Sequence, residues 1–258
     1  MILFHSEKIA HYEICVILPS GYDSTKQYRT IYMHDGGDTA IQCVNYIDHL
    51  IISGQIEPLI IIGIEPNDRH DDYTPWAAPS LSPHTPMFGG QAEAYLHTVV
   101  TRIKPYIDAH YATNPAPSHT AISGCSFGGL VSILASYYYP DVFHQYISLS
   151  ASFWYEDVLR YIQGEQVKRQ ESTYVKPTVN RENHQLCLYV GELEGIYKDT
   201  VQVHMVDYTM KAHHEFIKEG YLEPNLLFEI KCALAYLRPD FIELRSINSS
   251  ENLWHPPK

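Results

Sequence analysis

The chain alternates short apolar runs with longer segments of helical periodicity, and this alternation restricts the fold more than any other feature. The run Leu59-Ile60-Ile61-Ile62-Gly63-Ile64 is apolar throughout, which is typical of a central parallel strand buried on both faces. The pattern predicts a strand within 8–18 and further strands over 30–33, 119–125, 144–150, 185–190 and 226–230. It predicts helices over 38–52, 91–111, 128–138, 199–218 and 231–237. We therefore predict an α/β fold with a mostly parallel central sheet and helices on both faces.

The length of 258 residues suits one domain, which we place at 1–237, followed by a polar C-terminal tail over 238–258. Two polar stretches interrupt the alternation. One covers 164–183, and the other covers 66–90 and is rich in Pro, Asp, Ser and His. Loops longer than about 15 residues in a compact domain are usually functional or mobile. The 66–90 stretch is therefore a candidate part of the functional site.

The charge and cysteine pattern excludes several classes of function. The chain has 30 acidic and 18 basic residues and a net charge of −12, which argues against nucleic acid and anionic membranes as partners. No apolar run approaches the ~18 residues of a membrane helix, and no signal-peptide pattern is present. The 5 cysteines form no CxxC pair, which excludes zinc ribbons and thioredoxin motifs. Their odd number and scattered positions indicate reduced thiols in a cytoplasmic protein. We expect neither metal nor cofactor, and the sequence leaves a homo-oligomer open.

A candidate nucleophile lies between a predicted strand and a predicted helix. Gly124-Cys125-Ser126-Phe127-Gly128 matches G-x-S-x-G, and a serine at such a junction is the nucleophile elbow of α/β-hydrolases. The turn is sharp, so its flanking positions must be small. We predict Ser126 as the nucleophile. The Phe127 N–H, at the start of a helix, is the predicted donor to an oxyanion.

A second glycine motif follows an early strand. In this fold the other oxyanion donor comes from the loop after that strand, where His34-Asp35-Gly36-Gly37 is found. Gly36 or Gly37 can present an N–H without an obstructing side chain, although glycine pairs also form plain turns. His34, beside this loop, is a candidate for contacting substrate.

These segments together resemble the putative-esterase branch of the α/β-hydrolases, which includes esterase D-like and enterochelin-esterase-like proteins. The matching stretches are Ile17-Leu18-Pro19-Ser20-Gly21-Tyr22-Asp23, Tyr32-Met33-His34-Asp35-Gly36-Gly37, Gly63-Ile64-Glu65, Asp72-Tyr73-Thr74-Pro75-Trp76, Lys104-Pro105-Tyr106-Ile107-Asp108, the Ser126 pentad and Ser148-Leu149-Ser150-Ala151-Ser152-Phe153-Trp154. The resemblance implies hydrolysis of a small-molecule carboxylic ester through a Ser126 acyl-enzyme. It also implies an oxyanion hole of Gly36 and Phe127, with Trp154 and the 66–90 loop as walls of the substrate cleft.

The acid of a catalytic triad follows the serine in this fold and precedes the histidine. The predicted strand over 185–190 ends in Gly191-Glu192-Leu193-Glu194-Gly195. Glu194 stands where the family often has its carboxylate, and we predict it as the acid. Glu192 and Asp199 remain competitors.

The histidine of a triad should follow the last strand, but here the strand runs directly into Lys231-Cys232-Ala233-Leu234. Without a base, a serine hydroxyl is a poor nucleophile at neutral pH. One candidate is His255, which lies about 18 residues beyond Leu237 and can therefore reach at most ~60 Å. Other candidates are His204, His213 and His214. The alternative is a catalytically impaired or inactive homologue that retains the cleft as a binding protein.

Overall fold

The computed structural model describes residues 2–82, 84 and 86–231. Its strands are β1 (Leu3–Ile9), β2 (Tyr12–Leu18), β3 (Arg29–Met33), β4 (Leu59–Ile64), β5 (Ala77–Ala78), β6 (Phe88–Gly89), β7 (Thr120–Cys125), β8 (Gln145–Leu149), β9 (Val167–Arg169), β10 (Ser172–Tyr174), β11 (Gln185–Gly191) and β12 (Leu226–Lys231).

The α-helices are α1 (Asp38–Gln42), α2 (Val44–Ile52), α3 (Arg69–Asp72), α4 (Ala92–Thr98), α5 (Lys104–His110), α6 (Phe127–Tyr138), α7 (Val158–Ile162) and α8 (Met205–Lys218). Short 3₁₀ turns cover Asp35–Gly37, Pro117–His119 and Val201–His204, and a π-helical turn at Val99–Ile103 joins α4 to α5. None of the helices among these residues is long and apolar enough to cross a membrane.

One eight-stranded sheet organises the molecule. Its strands lie in the order β1-β2-β4-β3-β7-β8-β11-β12. The strands from β4 to β12 in this order are parallel, and β2 is antiparallel to β4. Parallel strands place their carboxyl ends at one edge of the sheet, so the loops after β3, β7, β8 and β11 meet there. The predicted mostly parallel α/β sheet is confirmed.

The side chains of β4 show why its sequence is apolar throughout. Leu59 and Ile61 belong to a cluster on the face covered by α1 and α2, whereas Ile60 and Ile62 belong to the larger cluster on the other face. Successive side chains of a strand point to opposite faces, so both faces of β4 are buried. Helices therefore cover both sides of the sheet, as predicted.

The strand predicted within 8–18 is β2, and it is preceded by a turn that the sequence pattern did not predict. Ala10 and His11 have φ values of 48° and 71°, and they reverse the chain. β1 consequently pairs antiparallel with β2, with Ile9 opposite Tyr12. A two-residue turn with positive φ suits the twist of a hairpin, but it usually contains Gly or Asn, and that signal is missing here.

The two polar stretches contain short elements of their own. The 66–90 stretch holds α3 and the β5–β6 pair, and 164–183 holds the β9–β10 pair. The predicted helix over 38–52 is divided at Cys43 into α1 and α2. Lys231 ends β12, and the rest of the predicted helix over 231–237 lies outside the described residues, as does the predicted tail.

Candidate active site

Ser126 occupies the junction between β7 and α6. Its backbone has φ 57° and ψ −116°, a conformation that a non-glycine residue adopts at a cost of about 1–3 kcal/mol. The Ser126 N–H donates to the Leu149 carbonyl oxygen at 2.9 Å, and the Ser126 carbonyl accepts from the N–H of Leu130 at 3.0 Å. The strained conformation is thus held by β8 on one side and by the first turn of α6 on the other.

The glycines of the pentad allow β7 and α6 to pack closely. A Cβ on Gly124 would lie 2.6 Å from the carbonyl carbon of Gly128, well inside any real contact. A Cβ on Gly129, the residue after the pentad, would lie 3.1 Å from the Leu149 carbonyl oxygen of β8, a tight contact. Backbone-to-backbone contact therefore requires glycine at position 124, and this close packing of strand and helix accompanies the sharp turn at the serine.

The loop after β3 has the conformation that its glycines allow. Asp35, Gly36 and Gly37 have φ values of 56°, 65° and 77°, and a helical turn of 3₁₀ type leads from them into α1. The loop rests on β4, where a Cβ on Gly63 would lie only 1.9 Å from the Gly36 carbonyl oxygen. The absence of a side chain at Gly63 makes room for the loop.

Arg69 of α3 joins this loop to the serine turn. Its Nε and Nη2 donate to the two carboxylate oxygens of Asp35 at 2.7 and 3.2 Å, and Nη2 also donates to the Cys125 carbonyl oxygen at 3.0 Å. The guanidinium lies 5.6 Å from the ring centroids of Tyr73 and Phe127. Arg69 lies in the 66–90 stretch that was predicted to be part of the site, but no local sequence motif indicated this residue.

His34 is buried beside the same loop and is 3% exposed. Its Nδ1 lies 2.7 Å from the Tyr95 hydroxyl oxygen, and no hydrogen-bond partner is described for Nε2. Burial, together with the nearby charge of Arg69, lowers the pKa of His34 to about 3, so the ring is neutral at pH 7. A contact of this ring with substrate stays a prediction.

A serine-rich loop after β8 contacts both the candidate nucleophile and the candidate acid. Ser126 Oγ lies 3.1 Å from the hydroxyl oxygen of Ser152, a fully buried residue whose N–H also donates to the Ser126 carbonyl. Two residues earlier, Ser150 Oγ donates to Glu194 Oε1 at 2.6 Å. One short segment therefore connects the two predicted catalytic side chains.

Glu194 is the most firmly held of the three candidate acids. Its Oε1 also accepts from the Gly191 N–H at 3.0 Å, and the residue is half-buried, whereas Glu192 and Asp199 are exposed. This geometry favours Glu194 over its competitors, and its catalytic role stays a prediction.

The structure does not bring a histidine into hydrogen-bond contact with Ser126 within residues 2–82, 84 and 86–231. His255 lies outside those residues. His204 ends a 3₁₀ turn, and His213 stacks on Phe228 at 4.2 Å on α8 beside His214. The identity of the base stays open at this point.

A cavity of about 430 Å³ has walls that contact the ring of Phe127, the residue after Ser126. Phe88, Trp154 and Tyr155 line it, and their rings lie 5.2, 5.4 and 6.1 Å from the ring of Phe127. Part of the wall comes from the 66–90 stretch, through Ala78, Pro79, Leu81 and Phe88. This volume is within the range of small-molecule sites. Trp154 and the 66–90 stretch therefore share one concave surface beside Phe127, the residue after the candidate nucleophile.

The parallel sheet with helices on both faces and the strained serine between strand and helix define the α/β-hydrolase class. Within that class, the chain belongs to the putative esterase family, whose sequence model matches residues 9–218. The family indicated by the sequence motifs is thereby confirmed.

Individual relatives agree with this placement. The uncharacterized protein YbbA of Bacillus subtilis (strain 168) is 28% identical over 225 residues, which cover 87% of this chain and 85% of YbbA. The IroE-like serine hydrolase from Shewanella oneidensis superposes with a TM-score of 0.71 at 23% identity, covering 89% of this chain and 73% of that one. The siderophore hydrolase EstA from Aspergillus nidulans has a TM-score of 0.67 at 18% identity, with 90% and 87% covered. The structural matches show the shared fold, and the family supports ester hydrolysis as the general chemistry.

Proposed function

We propose that the chain hydrolyses a small-molecule carboxylic ester through an acyl-enzyme on Ser126. The observation that carries this proposal is the strained backbone of Ser126, which has positive φ at the β7–α6 junction. Close glycine packing on one side and a hydrogen bond to the Leu149 carbonyl on the other maintain this conformation. Such strain persists only where the surrounding structure maintains it, and it is typical of active sites.

In the proposed reaction, Ser126 Oγ attacks the ester carbonyl carbon while a base takes the hydroxyl proton. The N–H groups of Gly36 and Phe127 stabilise the oxyanion, and the alcohol leaves with a proton returned from the base. Water then attacks the acyl-enzyme in the same way and releases the acid. Glu194, held by Ser150 and Gly191, is the proposed acid that orients the base.

We propose His255 as the first candidate for that base, with His204, His213 and His214 as the others.

A second function is favoured by one observation. Among the described residues, the hydrogen-bond partner of Ser126 Oγ is the Ser152 hydroxyl, which is not basic. If no histidine reaches the serine, the protein is an impaired homologue whose cavity binds a ligand without efficient turnover.

The proposed substrate places an uncharged apolar group in the cavity. Aromatic and aliphatic side chains form most of its wall, and its charged members are already paired. Asp157 contacts Arg160 at 3.1 Å and Arg169 at 2.6 Å, while Glu156 contacts Arg169 at 3.0 Å. No cation is therefore left among these groups to compensate for a buried anionic group.

The test is hydrolysis of a short p-nitrophenyl ester by the wild type, Ser126→Ala and Ser132→Ala. Ser132 lies on the same helix and donates to the Gly128 carbonyl, so its variant controls for loss of a buried serine hydroxyl. We expect turnover to be lost only in Ser126→Ala, after which histidine-to-alanine variants beginning with His255 identify the base. Equal rates in the wild type and Ser126→Ala would reject the acyl-enzyme and favour the binding function.

A further inference from the structure

The hydroxyl of Ser152 contacts the atom that the proposed reaction uses as its nucleophile. Its oxygen lies 3.1 Å from Ser126 Oγ, and Ser152 is 0% exposed. The backbone holds this residue in place, because the Ser152 N–H donates to the Ser126 carbonyl at 3.1 Å and the Ser126 N–H donates to the Leu149 carbonyl at 2.9 Å. The loop after β8 is therefore fixed to the serine turn through both backbone polar groups of Ser126.

Burial determines which of the two hydroxyls donates. Ser126 is half-buried, so its O–H can point into the open site, toward a base or solvent. Ser152 has no exposed surface, and the hydrogen bond described for its hydroxyl is the contact with Ser126 Oγ. If Ser126 donated to Ser152, the buried O–H of Ser152 would lack an acceptor among the described residues, which is unfavourable for a buried polar group. The arrangement that satisfies both hydroxyls has Ser152 as the donor and Ser126 Oγ as the acceptor.

We infer that Ser152 is a catalytic residue that donates a hydrogen bond to Ser126 Oγ whenever this atom carries negative charge. This inference rests on the proposed function, because it concerns the same nucleophile. Negative charge develops on Oγ as its proton passes to the base and the bond from Oγ to the ester carbon forms. It develops again when water has attacked the acyl-enzyme and that bond breaks. Ser152 keeps its own proton in both steps, so the proton of Ser126 still goes to the base.

The contact is weak in the resting state and stronger in the two transition states. Its length of 3.1 Å exceeds the about 2.7–2.8 Å that neutral hydroxyl pairs prefer, whereas a hydroxyl that donates to an anionic oxygen approaches to about 2.5–2.7 Å. In the acyl-enzyme, Oγ is an uncharged ester oxygen and accepts poorly. Ser152 thus binds the transition states more tightly than the states on either side, which raises kcat and leaves KM unchanged. Because the backbone already fixes the donor, little reorganisation is needed during the reaction.

The experiment compares Ser152→Ala and Ser152→Thr with the control variant Ser148→Ala. Ser148 is also buried, and its hydroxyl donates at 3.1 Å to the Gly129 carbonyl of α6. Its variant therefore removes a buried serine hydroxyl from the same segment and the same helix contact, but not from the nucleophile. Urea unfolding measures the stability of each variant.

Two reactions of Ser126 are measured. The first is hydrolysis of a p-nitrophenyl ester, in which the initial burst of p-nitrophenol separates acylation from deacylation and steady state gives kcat and KM. The second is labelling of Ser126 by a fluorophosphonate, followed by mass spectrometry. In this labelling, Oγ forms a bond to phosphorus, fluoride leaves and the hydroxyl proton is lost to the base or solvent, so the rate reports on the nucleophile without deacylation.

We expect Ser152→Ala to lower the rates of acylation, deacylation and labelling by about tenfold each and to change KM by less than about threefold. Ser152→Thr keeps a hydroxyl at the same position and should recover most of the loss. Ser148→Ala should keep all three rates within about twofold of the wild type, although its stability should fall as much as that of Ser152→Ala. If Ser152→Thr does not fold, the comparison of the two alanine variants decides.

Three results would overturn the inference. The first is an unchanged kcat and an unchanged labelling rate in Ser152→Ala. The second is a faster reaction in Ser152→Ala, because this would mean that Ser152 accepts from Ser126 and restrains the nucleophile. The third is an equal loss of rate in Ser148→Ala, which would assign the effect to packing.

The failure of the proposed function gives a different result. If the wild type and Ser126→Ala hydrolyse the ester equally, the proposed function fails, and the labelling rate alone then decides whether Ser152 acts on Ser126 Oγ. A wild-type protein whose Ser126 is not labelled at all would reject the inference together with the proposed function.

Discussion

His184 should make the protein less stable in mild acid. The residue is 3% exposed, and its Nδ1 lies 3.3 Å from Nη1 of Arg181. Arginine can only donate, so Nδ1 accepts, and Nε2 donates to the Pro140 carbonyl at 2.9 Å. Burial, followed by the charge of Arg181, lowers the pKa of His184 to about 4. The folded state therefore holds this imidazole neutral at a pH where an exposed imidazole is charged.

The size of the effect follows from proton linkage. Between the unfolded pKa of about 6.5 and the folded pKa of about 4, only the unfolded chain binds the proton, so the free energy of unfolding falls by about 1.4 kcal/mol per pH unit. From pH 8 to pH 5 the loss attributable to His184 is about 2 kcal/mol. The stability contribution is complete above pH 6.5 and declines as the pH falls. His34, whose pKa is lowered to about 3 by burial and Arg69, adds a loss of similar size.

The assay is urea unfolding at pH 8 and pH 5, followed by fluorescence of the buried Trp76 and Trp154. His184→Gln should reduce the difference between the two free energies of unfolding by about 2 kcal/mol relative to the wild type. His5→Gln, which changes an exposed histidine of β1, provides the reference variant. Carboxyl groups with raised pKa, such as Asp72, act in the opposite direction but are common to all three proteins and cancel. The same pH dependence in His184→Gln and the wild type would refute the reasoning.

Two other predictions concern the site. Glu194→Gln should lower kcat at least about 100-fold, because the acid orients the base. The kcat of Glu192→Gln and of Asp199→Asn should stay within about twofold of the wild type. A large loss of kcat in one of these two variants, and not in Glu194→Gln, would assign the acid to that residue. Gly63→Ala should displace the loop after β3, because its Cβ would lie 1.9 Å from the Gly36 carbonyl oxygen. We expect destabilisation of about 1–3 kcal/mol in urea unfolding and at least about tenfold lower kcat, and wild-type values of both would contradict the close contact.

Local patterns predicted the strand–serine–helix turn well because its requirements are local. Gly124 and Gly128 lie in the pentad itself, and the strand before it and the helix after it have different hydrophobic periods. The burial of β4 on both faces was also predictable locally, because its six consecutive residues are all apolar or glycine. The β1–β2 hairpin was missed because Ala10 and His11, which form its turn, lack the residue types that mark positive φ.

The sequence by itself determined the α/β alternation, the serine at the strand–helix junction and the glycines that follow β3. Only the tertiary structure decided which side chains meet at the edge of the sheet. Ser152 contacts Ser126 from 26 residues away, and Ser150 contacts Glu194 from 44 residues away. Sequence periodicity reports the burial and conformation of each segment, whereas these contacts depend on the order in which the parallel strands lie. The contacts of Arg69 with Asp35 and with the Cys125 carbonyl depend on that order too, since they join segments that follow or end β3, β4 and β7.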